Sequence, residues 1–244
     1  MRVLWVCNIM LPVIAEALHR EASNKEGWLS GLLSQIVDRE DTGMTLAVAF
    51  PAPAGEEIPQ SFVVRVQGEH PACVAEATSA TEAASAPEGG SGYLVRCYGF
   101  HEDTVHPDRY QPELEEELRK ITDDYDPDVI HCFGTEYPHT LAVCRVYPHP
   151  ERILLGIQGI CSLCAEAYFA DLPERVTRKV TFRDLVKRDS LRSQQEKFAR
   201  RGVMEREAIG LAGNITGRTA WDREVTTGWN PGAQYYPMNE TLRA

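Results

Sequence analysis

The chain has 244 residues, 43% of them apolar and 25% charged, with a formal net charge of −11 at pH 7. That balance can bury a full core and disfavours non-specific nucleic-acid binding over the chain as a whole; no run of 18 apolar residues offers a transmembrane helix. The charge is uneven, because residues 151–210 hold 12 Lys and Arg against 9 Asp and Glu, a mildly basic segment in an acidic protein.

In chain order, short apolar runs alternate with amphipathic segments. Val3 to Cys7 reads as a strand buried on both faces. The apolar start resembles a secretion signal, but Asn8 and Pro12 interrupt it and it runs into Glu16 and His19 rather than small residues. Residues 8–27 read as a loop, long for a strand-to-helix connection. Gly27 to Val37 is predicted helical, with Trp28, Leu29, Leu32, Leu33, Ile36 and Val37 on one stripe. Thr45 to Phe50 is the second strand; Phe62 to Val66 and Tyr93 to Tyr98 are weaker strands. Residues 72–92 between them are rich in Ala, Ser, Thr, Glu and Gly, and read as a flexible insertion or a loose Ala-rich helix.

Pro112 to Tyr125 is predicted helical, with proline near its start and acidic residues in its first turn. Asp128 to Phe133 is a strand, Pro138 to Tyr147 a helix, and Arg152 to Ile157 a strand. Ala165 to Leu211 reads as a long charged helical stretch broken at Pro173. Asn214 to Gly217 is a short strand, and Ala220 to Thr227 begins a helix. Strands alternating with helices at these lengths predict an α/β fold with a doubly wound, mainly parallel sheet.

Seven cysteines, an odd number, lie mostly in apolar surroundings and read as reduced cytoplasmic thiols. Cys161 and Cys164 form one CxxC without the second pair or nearby histidines that a zinc site needs.

In a doubly wound sheet, ligands bind beyond the carboxyl ends of the strands. The residues there are Asn8, His131 to Glu136, Gln158 with Gly159, and Arg218. Gly27 opens a helix whose exposed N–H groups could meet a phosphate. No GxGxxG follows the first strand, which excludes an ordinary NAD-binding domain and disfavours a sugar-nucleotide epimerase.

Four runs, in order, carry a resemblance: Lys25 to Ile36 (KEGWLSGLLSQI), Pro127 to Ala142 (PDVIHCFGTEYPHTLA), Asn214 to Glu224 (NITGRTAWDRE) and Tyr235 to Arg243 (YYPMNETLR). Together they resemble the N-terminal, acceptor-side domain of family 4 retaining glycosyltransferases, which have the GT-B fold. The resemblance implies a second, C-terminal domain that binds a nucleotide diphosphate sugar, so the 244 residues alone would be inactive. It implies no metal, because the departing diphosphate is met by basic side chains and helix N-termini.

By the same resemblance Gly27, Lys25 and Arg218 would lie toward the diphosphate. His131 would belong to a strand-end HxH motif with a catalytic role, although Phe133 replaces its second histidine. Asn8, Gly134, Thr135, Glu136 and Gln158 would line the side that takes the sugar acceptor, a glycan or lipid-linked sugar. Lys25 and Glu26 depart from the family's usual glycine before Gly27. Trp221 and Asp222 would fix a turn. The basic stretch Pro173 to Arg201 could serve as an acceptor lid or a membrane-surface contact at the inner face of a membrane. The alternatives are a stand-alone carbohydrate-binding or regulatory module, and one chain of a split enzyme.

Overall fold

Val3 to Cys7 is apolar at every position because both of its faces are covered. The computed structural model describes residues 1–22, 27–39, 43–52, 55–66, 78–79, 92–187 and 190–239. Strand β1 (Arg2–Val6) lies between β2 (Thr45–Ala52) and β6 (Val129–Phe133), parallel to both. Leu4 and Val6 point into one core layer, and Val3, Trp5 and Cys7 into the other. This is the alternation of side chains that a strand imposes.

Among the described residues the sheet has nine strands in the order β4-β3-β5-β2-β1-β6-β7-β8-β9. The other strands are β3 (Phe62–Val66), β4 (Thr78–Ser79), β5 (Tyr93–His101), β7 (Ile153–Gly156), β8 (Asn214–Gly217) and β9 (Gln234–Pro237). All pairings are parallel except those of β3 with β4 and with β5 at one edge. The fold is therefore a doubly wound, mainly parallel Rossmann-like α/β sheet. Strand order reverses at β1, since the chain builds outward to β2 and β5 on one side and then returns to β6 on the other.

Helices α1 (Pro12–Ala17) and α2 (Gly27–Val37) cover one face, with Leu11, Ile14, Leu29 and Leu33 buried against Trp5, Val48 and Phe133. The opposite face carries α3 (Glu113–Tyr125), α4 (Pro138–Val146) and α8 (Leu191–Leu211), whose Leu114, Leu118, Leu141, Met204 and Ile209 pack on Ile130, Leu155 and Ile215. Three short helices precede α8: α5 (Cys161–Ala167), α6 (Glu174–Thr177) and α7 (Phe182–Lys187). Helix α9 (Ala220–Trp229) follows β8 and opens on a capping box, in which Thr219 and Asp222 exchange hydrogen bonds. Asp222 also accepts from the backbone N–H groups of Arg218 and Thr219, whereas Trp221 is half exposed.

Several elements differ from the sequence expectation. The long loop after β1 contains α1, which starts at Pro12 because proline presets the first helical φ. Strand β2 runs through Pro51 to Ala52. Its pairing with β1 ends at Ala49, so Pro51 has a neighbour on one side only and no ladder bond is lost there. Tyr235 and Tyr236 belong to β9, and helical structure begins at Cys161 rather than Ala165. Of the flexible insertion read at 72–92, only 78–79 and 92 lie within the described residues.

Candidate active site

The reversal of strand order at β1 leaves a crevice at the carboxyl ends of β1 and β6, where neighbouring connections depart in opposite directions. A cavity of about 910 Å³ opens there. Its wall includes Asn8, Ile9 and Met10 after β1, Pro51 in β2, Glu136 and Tyr137 after β6, and Gln158 after β7. Arg20, Glu21, Glu56 and Arg201 complete its charged rim; Arg20 is tied to Glu56 and donates to the Glu57 carbonyl.

Gly134, directly after β6, is the point on which the wall converges. Its φ of +94° suits glycine. A Cβ built there would collide with Glu136 Oε2 and lie 2.6 Å from Asn8 Nδ2 and 3.3 Å from Gln158 Oε1. Three polar side chains from three strand exits thus share the space above one missing side chain. Two of their buried atoms, Glu136 Oε2 and Gln158 Nε2, have no hydrogen-bond partner among the described residues. Unpaired buried polar groups are costly in a folded protein and point to a site whose partner is a ligand or water. Burial raises the Glu136 carboxyl above its ordinary range, although the Arg201 guanidinium draws it down.

Behind this wall runs a polar chain. Glu102, directly after β5, and His139, in the first turn of α4, are both fully buried. Glu102 accepts from the His139 backbone N–H at 3.0 Å and faces His139 Nδ1 at 2.9 Å. His139 Nε2 is 3.1 Å from Asn8 Oδ1, and Asn8 Nδ2 is 3.4 Å from Gln158 Oε1. The ring of Tyr137 stacks on that of His139 at 5.7 Å.

The other residues singled out in the sequence take different places. Thr135 is buried and donates to Glu205 Oε1 at 3.0 Å, away from the cavity wall. Arg218 holds the Gln158 carbonyl at 2.7 Å. Gly27 is the first residue of α2, and Lys25 lies outside the described residues. His131 is packed on Phe133 at 3.9 Å between ring centres. Burial lowers its pKa to about 3, so the ring is neutral. Its Nε2 has no partner among the described residues, and it does not contribute to the cavity wall.

Glu102, His139 and Arg201 were not found by sequence reasoning. Glu102 follows a strand whose end was placed at Tyr98, three residues short of His101. His139 sits inside a helix motif and carries no local signal. Arg201 arrives from α8, donates to the Glu136 carbonyl at 2.8 Å and lies over the rings of Tyr137 and Phe198. Among the described residues, no three His, Cys, Asp or Glu side chains cluster to hold a metal ion. No disulfide joins the described cysteines, and burial pushes the Cys144 and Cys161 thiols up to about 12.

No family model and no curated protein matches the chain. Among solved structures it is similar to UGT71G1 of Medicago truncatula complexed with UDP-glucose, at 9% identity and a TM-score of 0.40, over 98% of this chain and 51% of that one. It is also similar to LpCGTa in complex with UDP, at 13% identity and a TM-score of 0.39, over 100% and 53%. The chain spans about half the length of each.

Proposed function

We propose that this chain is the acceptor-side domain of a retaining glycosyltransferase of GT-B fold, which moves a sugar from a nucleotide diphosphate sugar to a hydroxyl of a glycan or lipid-linked acceptor. The observation that carries the reading is the convergence of Asn8, Glu136 and Gln158 on Gly134, with Glu136 Oε2 and Gln158 Nε2 buried and unpaired beside the cavity. A sugar hydroxyl both donates and accepts, so it suits a wall that offers amide and carboxyl groups together. The four sequence runs that resemble family 4 enzymes support the same reading.

In this reading Glu136 and Gln158 orient the acceptor hydroxyl, and Arg201 closes the wall behind Glu136. By the sequence resemblance, Gly27, Lys25 and Arg218 serve the diphosphate, whose main binding groups belong to a C-terminal domain. His131, neutral and packed on Phe133 outside the cavity wall, supports the end of β6 rather than touching the reacting groups. The lipid-linked class of acceptor fits a further feature. Residues 172–187 expose Leu172, Val176, Val180, Phe182, Leu185 and Val186, with Phe182 at 82%. The same stretch carries five Arg and Lys against two acidic residues. Exposed apolar tips among cations suit an anionic membrane surface.

The test is ligand-detected NMR with oligosaccharide and lipid-linked glycan panels, and calorimetry with UDP-glucose. Glycan binding that disappears in Glu136→Ala is expected, with weak or no binding of UDP-glucose by this chain. Micromolar UDP-glucose binding, or glycan binding untouched by Glu136→Ala, would overturn the assignment. If longer forms of the protein show transfer activity, Glu136→Ala should impair acceptor use more than donor hydrolysis.

A further inference from the structure

Arg201 reaches the cavity from α8 with its orientation already fixed. Its Nε donates to the Glu136 carbonyl at 2.8 Å, and its guanidinium lies over the rings of Tyr137 and Phe198, 5.5 and 5.3 Å from their centres. The Tyr137 ring is in turn stacked on the buried His139, 5.7 Å away. Nη1 and Nη2 are left over. Neither has a hydrogen bond or an ion pair among the described residues, and both remain accessible where Arg201 lines the cavity. The other cations nearby are matched: Arg20 on the rim is held by Glu56, and Arg200, its neighbour in sequence, by Asp108 at 2.7 Å. The Glu136 carboxyl does not match Arg201 either, because its Oε2 turns toward Asn8 and the space above Gly134 and forms no ion pair. Glu21, also on the rim, is exposed, where water and salt screen it.

We propose that Arg201 is the anion-recognition residue of this cavity, and that the sugar taken there carries a carboxylate or a phosphate monoester. A guanidinium presents its two terminal nitrogens as a flat fork, which matches two oxygens of either group at once. The fork is held before the ligand arrives, by a backbone acceptor and two aromatic rings, so little side-chain freedom is lost on binding. The hydroxyls of the same sugar meet the wall at Asn8 and Glu136, and the cavity thus separates a polar uncharged part of the ligand from an anionic one. Placing the anion on the acceptor rests on the glycosyl-transfer reading, whereas anion binding at Arg201 does not. The diphosphate of a nucleotide would satisfy the same fork, so the test separates the two sources.

The full chain, labelled with ¹⁵N in its arginine side chains, is titrated with glucose 6-phosphate, glucuronate, methyl glucoside and UDP and followed by NMR. At least one of the two acidic sugars is expected to shift the Arg201 guanidinium signals and to bind about tenfold more tightly than methyl glucoside, the scale of one charge-assisted contact. Arg201→Gln should erase that advantage, and Arg201→Lys, which keeps the charge without the fork, should restore only part of it. No preference for an acidic sugar, a preference unchanged in Arg201→Gln, or UDP alone engaging Arg201 would overturn the proposal. If Arg201→Gln fails to fold, the unmodified protein decides, since guanidinium signals untouched by both acidic sugars would remove the site. Acidic-sugar binding at Arg201, with glycan binding untouched by Glu136→Ala, would sustain this inference and sink the glycosyl-transfer reading. Glycan binding lost in Glu136→Ala, with Arg201 silent, would do the reverse.

Discussion

His131 is a neutral imidazole enclosed by β-sheet and by the ring of Phe133, and burial holds its pKa near 3 against an ordinary value of 6.5. Between those values the unfolded chain binds a proton that the folded chain does not. Stability from this residue is therefore complete above about pH 6.5 and is lost as the pH falls toward 3. His131→Phe is expected to flatten that acid limb, which denaturant titrations across the range would read. An unchanged acid limb would mean that other groups control it. The opposite behaviour is seen at Gly134, where the absence of a side chain leaves room for Glu136, Asn8 and Gln158 to converge. Strand-end reasoning named Gly134, Glu136, Asn8 and Gln158 because each lies within three residues of a strand's carboxyl end. It could not say that Thr135, the residue between two of them, turns inward to Glu205, since alternate residues after a strand face opposite ways.

At the scale of elements, one carboxylate ties two helices together. Glu205 of α8 is fully buried and accepts from the backbone N–H groups of Cys161 and Ser162 at 3.0 and 3.1 Å, from the Ser162 hydroxyl, and from Thr135. It satisfies the first N–H groups of α5, where a negative charge also meets the positive end of the helix. The helices can approach this closely because position 202 is glycine: a Cβ there would lie 2.6 Å from the Ser162 Cα. Glu205→Ala strands several buried donors and is expected to lower unfolding free energy by about 3 kcal/mol, read as a lower urea midpoint. A loss below about 0.5 kcal/mol would show that water replaces the carboxylate. The contrast with α9 explains what the sequence allowed. Thr219 and Asp222 cap their own helix from three residues apart, a local pattern. Glu205 caps a helix more than forty residues upstream, and nothing near it in sequence announces that partner. Strand and helix identities likewise followed from local periodicity, whereas α1 and β9, short and flanked by proline, were missed.

For the molecule as a whole, the site is a product of topology. Asn8, Glu102, Glu136 with His139, Gln158 and Arg201 come from five separate parts of the chain, brought together where strand order reverses. The reversal itself was legible, because alternating strands and helices imply a doubly wound sheet and hence a crevice at its carboxyl edge. The partners that enter from neighbouring connections and from α8 were not. The exposed apolar and basic stretch at 172–187 lies outside both core layers and makes a prediction at this scale. The chain is expected to sediment with vesicles containing anionic lipid, less with neutral vesicles, and much less after Phe182→Ser combined with Leu185→Ser. Sedimentation that ignores both lipid charge and these substitutions would remove the membrane from the proposal.

The central place of β1 also has a consequence for synthesis. One flank of the strand can pair with β2 soon after both emerge from the ribosome. The other flank needs Val129–Phe133, which at ordinary translation speeds follows roughly ten seconds later. During that interval the residues of β1 that later meet β6 have no ladder partner, and the wall of the candidate site cannot assemble, because Glu136, His139 and Gln158 have yet to be made. The nascent protein would then pass through a stage with one sheet edge open at its future centre, which is the kind of surface that chaperones hold and that misfolding exploits.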